Sequence, residues 1–247
     1  MSRLLVLSAS VLLVGCSDMS PPIFGSGKAR TEKRDVPEFN AIELSVGSAD
    51  LDVKKGDTTS LELTWDDNLL PLVRTSVVNG VLRISVEKST SSAQAAMIRI
   101  EVPKVSKVSV NGAGNISVEE LSGPQAELSI AGSSDIVATV NADNFACAIS
   151  GSGMITASGT STDVAISISG SGYVDTSSIR ADAVKIDIAG GGTVAVHAEQ
   201  QLDVSIAGSG DITYSGKPQV KQSVAGSGSI KERAGGIPPA ESVKNEK

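Results

Sequence analysis

Between residues 108 and 230 the chain repeats one nonapeptide pattern seven times: VSVNGAGNI, LSIAGSSDI, CAISGSGMI, ISISGSGYV, IDIAGGGTV, VSIAGSGDI and QSVAGSGSI. The lead glycines are Gly112, Gly132, Gly151, Gly170, Gly190, Gly208 and Gly226, spaced 20, 19, 19, 20, 18 and 18 residues apart. A period this regular marks a stacked repeat fold with one structural unit per period. The columns of the repeat say which unit. Two residues before each lead glycine stand Val110, Ile130, Ile149, Ile168, Ile188, Ile206 and Val224, and four before it Val108, Leu128, Cys147, Ile166, Ile186, Val204 and Gln222. Four after it stand Ile116, Ile136, Ile155, Val174, Val194, Ile212 and Ile230. Between the first two columns the residues are small or polar: Ser109, Ser129, Ala148, Ser167, Asp187, Ser205 and Ser223.

The period is therefore two, with β-branched residues turned inward on both sides of a glycine corner. No part of the region holds ten residues of helical period, which rules out crossover helices between parallel strands. What remains is an all-β fold, a parallel β-helix or β-solenoid of about seven coils of 18–20 residues. Stacked at strand spacing, seven coils give a rod about 34 Å long. Glycine at the first and third motif positions removes a Cβ that would crowd the next coil or forbid a positive φ. Ser133, Ser152, Ser171, Ser209 and Ser227 lie between those glycines, where stacked hydroxyls are expected to bond along the ladder. Cys147 reads as a small buried hydrophobe. Gln222 and Glu232 interrupt the apolar columns and predict a polar terminal cap in place of an eighth coil.

Residues 36 to about 104 predict an N-terminal β-strand cap on the rod. ELSVGSADLDV, residues 43–53, reads as a degenerate first coil with a one-residue slip relative to residues 203–213. Asn79-Gly80 between two alternating runs predicts a hairpin, and MIRIEVP a further strand before the repeat begins. Such a cap protects the first edge from open-ended pairing.

The N-terminus reads as an address. Arg3 precedes an apolar stretch, Leu4 to Val14, too short to cross a bilayer and suited to a signal peptide over residues 1–15. Leu13-Val14-Gly15-Cys16 resembles the bacterial lipobox. That resemblance implies that Cys16 is acylated and becomes the mature N-terminus, and Ser17 after it implies sorting to the outer membrane. Two or three acyl chains on one residue make a stable anchor. With Cys16 acylated, Cys147 has no partner for a disulfide. Residues 16–35 then form a lipidated flexible tether, residues 36–232 the solenoid domain, and residues 233–247 a flexible tail.

Composition narrows the chemistry. The net charge is −7, and aromatic residues are 2% of the chain. With no overall positive field to draw it to phosphate backbones, the chain is not expected to bind nucleic acid. His197 is the single histidine; it follows the inward Val194 and Val196, so period two turns it to the surface. Asn115, Asp135 and Asp211 share one corner column but alternate with Met154, Tyr173, Thr193 and Ser229, too sparse for calcium. The GSG corners open no helix and are followed by no lysine, so they are not phosphate loops. Lys55-Gly56-Asp57 is a chance tripeptide at a turn. No metal or cofactor is expected.

The series FNAIELSVGSADLDVKKGD, DDNLLPLVRTSVVNGVLRISV and IRIEVPKVSKVSVNGAGNI, followed by GSGD-type repeats, resembles the bacterial family of putative auto-transporter adhesin head GIN domains over residues 36–232. The resemblance implies a β-helix-like fold without enzymatic activity. The expected function is accordingly a non-enzymatic, membrane-anchored extracytoplasmic lipoprotein, facing the periplasm or the cell surface, that serves as an adhesin-like binding or structural module for a protein or glycan ligand. The alternative is a β-helix enzyme acting on cell-envelope or extracellular polysaccharide, which would need paired carboxylates and stacking aromatics along one face. Asp187 and Asp203 are the outward acids available to it, and Tyr173, Tyr214 and Phe145 the coil aromatics.

Overall fold

A computed structural model describes residues 21–233. The signal peptide, Cys16 and the tail from residue 234 lie outside the described residues. In chain order the strands are β1 (Ile23–Phe24), β2 (Ala29–Arg34), β3 (Ala41–Ser45), β4 (Ala49–Lys55), β5 (Ser60–Asp66), β6 (Val73–Val78), β7 (Val81–Val86), β8 (Thr90–Ser91), β9 (Ala96–Val102) and β10 (Lys107–Gly112). The repeat follows as β11 (Asn115–Gly132), β12 (Asp135–Gly151), β13 (Met154–Gly170), β14 (Tyr173–Gly190), β15 (Thr193–Gly208), β16 (Asp211–Ser215), β17 (Gln219–Gly226) and β18 (Ser229–Glu232). A short 3-10 turn, Leu70–Leu72, precedes β6.

Each of β11 to β15 is a whole coil paired in parallel with the next. The lead glycines pair with one another in unbroken register from Gly112 to Gly226. The parallel β-solenoid of about seven coils is thus present. Its three apolar columns are buried in every coil but the last: Ile136, Ile155, Val174 and Val194 are fully buried, as are Val108, Leu128 and Ile186. In the last coil Val224 is 40% exposed and Gln222 and Glu232 face solvent, so the apolar ladder ends there. Phe145 is the one aromatic ring in the buried coil core; it stacks between the smaller Ala126 and Val164, which leaves room for it.

Differences in coil length are absorbed away from the glycine corner. The pairing slips between Val118 and Leu121, between Thr156 and Ser158, and between Thr176 and Arg180. The columns flanking the glycines therefore stay in register although the coils differ by up to two residues.

In the cap, β3 and β4 form the degenerate first coil. Leu44 pairs with Val110 and Leu51 with Ile116, which places the extra residue between them. The coil-like layer beneath it comes from later sequence: β7 lies parallel to β3 and β9 parallel to β4. MIRIEVP is thus a neighbour of β4 and not of the first regular coil. Asn79 (φ 52°) and Gly80 (φ 76°) close the hairpin between β6 and β7, as the Asn-Gly pair dictates. Antiparallel β6 on one side, and β5 then β2 on the other, end the stack.

Residues 29–34 are strand β2, so the stretch 16–35 is not a tether throughout. ARTEKR has no apolar alternation because it is an edge strand held by its backbone pairing to β5. At its end the Arg34 guanidinium donates to the carbonyls of Val73 (2.7 Å) and Leu70 (3.1 Å). Charges on an edge strand also discourage further pairing.

Candidate binding surface

The flat run of strand before each glycine corner presents four outward columns in register. One reads Gln125, Asn144, Asp163, Ala183, Gln201 and Gln219; the next Glu127, Ala146, Ala165, Lys185, Asp203 and Lys221. Small residues in the middle coils leave a groove of about 270 Å³ floored by Ala146, Ala165 and Ala183 and rimmed by Asn144, Asp163, Lys185 and Asp203. Beside it, Ser129, Ala148, Ser150 and Ser167 line a second depression of about 400 Å³ on the same face. The face combines an apolar floor with carboxamides and single charges at its edge, the chemistry of an adaptable polar contact surface. Asp203 Oδ2 accepts from Gln201 Nε2 at 2.6 Å, while its Oδ1 is buried without a partner. Lys185 pairs instead with Asp187 at 3.2 Å, an exposed ion pair of little energetic weight.

Asp187 and Asp203 do not face each other across neighbouring coils. Asp187 lies opposite Ser205, and Asp203 opposite Lys185, in neighbouring columns. Asn115 is taken up by Asp50, which accepts from its backbone N–H and its amide, and Asp211 accepts from Ser229. Lys55 of the Lys-Gly-Asp tripeptide pairs with Glu120 at 2.9 Å, and that bond holds the Glu120 carboxyl below its usual range. Among the described residues no group of three metal-ligating side chains occurs.

His197 is not on the surface. Val196, His197 and Ala198 are all buried in succession, with His197 only 9% exposed. The cause is the slip between β14 and β15, where three residues fewer separate Val196 from His197 than separate their partners Thr176 and Arg180. The shortened bend rolls the imidazole inward, and alternation counted along one strand does not see it. Its Nδ1 lies 2.9 Å from Ser215 Oγ and its Nε2 3.0 Å from Glu199 Oε1. Ser215 and Glu199 carried no signal in the sequence, since the bend brings them together. A Ser-His-Glu chain invites comparison with a catalytic triad. Ser215 is buried, and the depression it lines with Tyr214 and Arg233 has only about 10 Å³ of room, too little to admit a substrate to the hydroxyl. The chain satisfies a buried imidazole.

Two further expectations change. The corner serines do not bond hydroxyl to hydroxyl; the backbone makes the link, as Ser152 N–H donates to Gly132 O and Ser171 N–H to Gly151 O. The two motif glycines also have different reasons. The lead glycines hold φ between 129° and 146°, a region closed to side chains. At the third position Gly114, with φ 142°, abuts the Ala49 backbone, whereas Gly153, Gly172, Gly192, Gly210 and Gly228 lack that φ and need room against the preceding coil's isoleucine; in the second motif the position is Ser134, fully buried and bonded to Gly112 O.

Cys147 is fully buried, and burial pushes its thiol up to about 12. Native protein should resist thiol reagents at pH 8 and react once unfolded, because the thiolate is the nucleophile. The unfolded thiol titrates near 9.0, so the folded state holds the proton more tightly. This contribution to stability is complete below pH 9 and is lost as pH rises towards 12. A Cys147→Val protein should show a shallower fall in Tm over that range; an equal fall in both would refute the assignment.

Comparison with known proteins follows the fold. A family model described as "Putative auto-transporter adhesin, head GIN domain" matches residues 38–218. A solved structure called a putative adhesin from Bacteroides fragilis is 25% identical, with a TM-score of 0.77 over 85% of this chain and 100% of its own. A structure called a putative lipid binding protein from Parabacteroides distasonis is 26% identical, with a TM-score of 0.69 over 86% and 99%. A putative adhesin from Parabacteroides merdae, at 24% identity and a TM-score of 0.69 over 85% and 98%, shares the fold. A search of curated proteins yields no match. None of these descriptions is that of an enzyme.

Proposed function

Because the chain belongs to the family described as putative auto-transporter adhesin, head GIN domain, we propose that it is a lipid-anchored protein of the bacterial envelope whose solenoid is a non-catalytic binding module. The observation that carries this reading is the continuous outward face of the coils, where the groove over Ala146, Ala165 and Ala183 crosses several coils. A rigid rod offers such a face at fixed geometry, so little ordering entropy is lost on binding. The ligand is a protein or a glycan that meets carboxamides and single charges. The relative called lipid binding does not suggest a lipid inside this rod, whose interior is filled by the ladders of Val, Ile and Leu.

The lipid anchor is supported by the Leu-Val-Gly-Cys sequence at Cys16. Replacing Cys16 by Ser is expected to move the protein from the membrane pellet to the soluble fraction. Retention of the variant in membranes would overturn the anchor. The binding face is tested by Ala165→Arg, an exposed position in the groove. The variant should keep its Tm and lose binding to envelope glycan or protein that the unaltered rod retains. Protease added to intact cells decides which way the rod faces, and complete protection would exclude adhesion outside the cell.

A further inference from the structure

The charge of the described chain is sorted along the rod. Residues 108–233 carry thirteen Asp and Glu against six Lys and Arg, a net −7, whereas residues 21–107 carry twelve of each. Within the cap the two terminal strands are sharper still. β2 and β6 hold Arg30, Lys33, Arg34 and Arg74 against Glu32 alone. Arg34 is spent on the Leu70 and Val73 carbonyls, but Lys28, Arg30, Lys33 and Arg74 are exposed. The cationic edge is thus at the end of the stack, and the anionic coils run away from it.

The same end carries the most exposed large apolar side chain of the described residues. Phe24, in β1, is 68% exposed. It is not loose: its carbonyl accepts from Asn68 Nδ2 at 2.8 Å, and the next residue's N–H donates to Ser91 O at 2.8 Å. The pinned backbone therefore holds the phenyl ring out from the cap at a fixed place beside the cationic edge. Val78, 44% exposed, closes β6. Chain length names the partner. Phe24 is eight residues from Cys16, so an extended chain reaches at most about 29 Å from the acylated residue to the ring. If Cys16 is acylated, the ring and the cationic edge cannot leave the neighbourhood of the bilayer surface.

We propose that the cap end of the rod is a bilayer-docking surface, in which Phe24 enters the interface and Lys28, Arg30, Lys33 and Arg74 meet anionic phospholipid headgroups. The inference rests on the lipid anchor proposed above. The acyl chains localise the protein; the docking surface orients it. An aromatic at headgroup depth and cations against an anionic leaflet are the usual interfacial contacts, and the net −7 of the coils is repelled by the same leaflet. The binding face then stands away from the membrane.

The test uses the full-length acylated protein in vesicles of brominated phosphatidylcholine with and without phosphatidylglycerol. Phe24→Trp places a reporter at the cap, and Val137→Trp, at a 60% exposed coil position, serves as the control; Trp65 is buried and common to both. Emission from the Trp at position 24 should shift to the blue and be largely quenched in anionic vesicles, and much less in high salt. The reporter at position 137 should be quenched in neither. Arg30→Glu with Arg74→Glu should return the first reporter to the level of the control. Protein that floats with vesicles but shows equal quenching at both positions would overturn docking while leaving the anchor intact. Protein that does not float would overturn the anchor, and docking with it.

Discussion

Gly170→Val is expected to lower the melting temperature by about 8–16 °C and to disorder several coils together. Gly170 has φ 129°, and a Cβ there would press on the carbonyl oxygen and carbon of Gly151 in the coil below. Neither can move, because Gly151 is itself the lead glycine of its corner and Ser171 N–H donates to its oxygen. A side chain in a region reserved for glycine costs about 1–3 kcal/mol, and the backbone clash adds to it. A total of about 4 kcal/mol corresponds to a shift of about 8–16 °C for a domain of this size. The loss spreads because each coil is stabilised mainly by its two neighbours. Gly172→Ala is the comparison. It has no positive φ, and its new Cβ would meet Ile149 Cγ2 at 2.7 Å and the Gly153 carbonyl oxygen at 3.1 Å, so the coil must give by a few tenths of an ångström but no forbidden backbone conformation is imposed. That variant should lose only about 1 kcal/mol, as Ser134 in the same column suggests. Equal melting temperatures for the two variants would refute the account of the corner.

The second large effect is expected for Ile168→Asp. Ile168 is 1% exposed and sits in register between Ile149 and Ile188. A carboxylate there has no cation or donor within the ladder, and an unpaired buried charge costs several kcal/mol. The carboxyl would fold best when neutral, so its folded pKa lies above the unfolded value. The variant's deficit in stability should therefore grow as pH rises from about 4 to 7. Ile168→Val at the same site should cost only about 1 kcal/mol with no such pH dependence. A melting curve for Ile168→Asp that matches the unaltered protein at pH 7 would mean that the column does not face the core.

The inward columns were legible because parallel coils in register repeat the same local choice seven times. Ile130, Ile149, Ile168, Ile188 and Ile206 each report the environment of all the others. The corner glycines were legible for the same reason, although the sequence alone did not separate the φ requirement at Gly170 from the space requirement at Gly172. Alternation counted along one strand turns His197 outward, and the slip at Thr176 resets that count. Strand β2 leaves no mark in the sequence because an edge strand is held by backbone bonds and by Arg34, neither of which leaves an apolar period. On the outward face of the coils, Ala146 and Ala165 are ordinary in one dimension; they form a groove only when coils stack them beside Lys185 and Asp203.

By itself the sequence determined the class of fold, the coil period, the inward ladders and the glycine corners, and it pointed to Cys16 as the anchor. These are set by local periodicity, which every coil restates. The tertiary structure decided what depends on residues far apart in the chain: the cap layer in which β7 and β9 lie beneath the earlier β3 and β4, the bend that buries His197 against Ser215 and Glu199, and the cationic edge of β2 and β6 beside Phe24. Stacking converts small differences in coil length into changes of direction and brings distant strands to one edge, and no period along the chain records either.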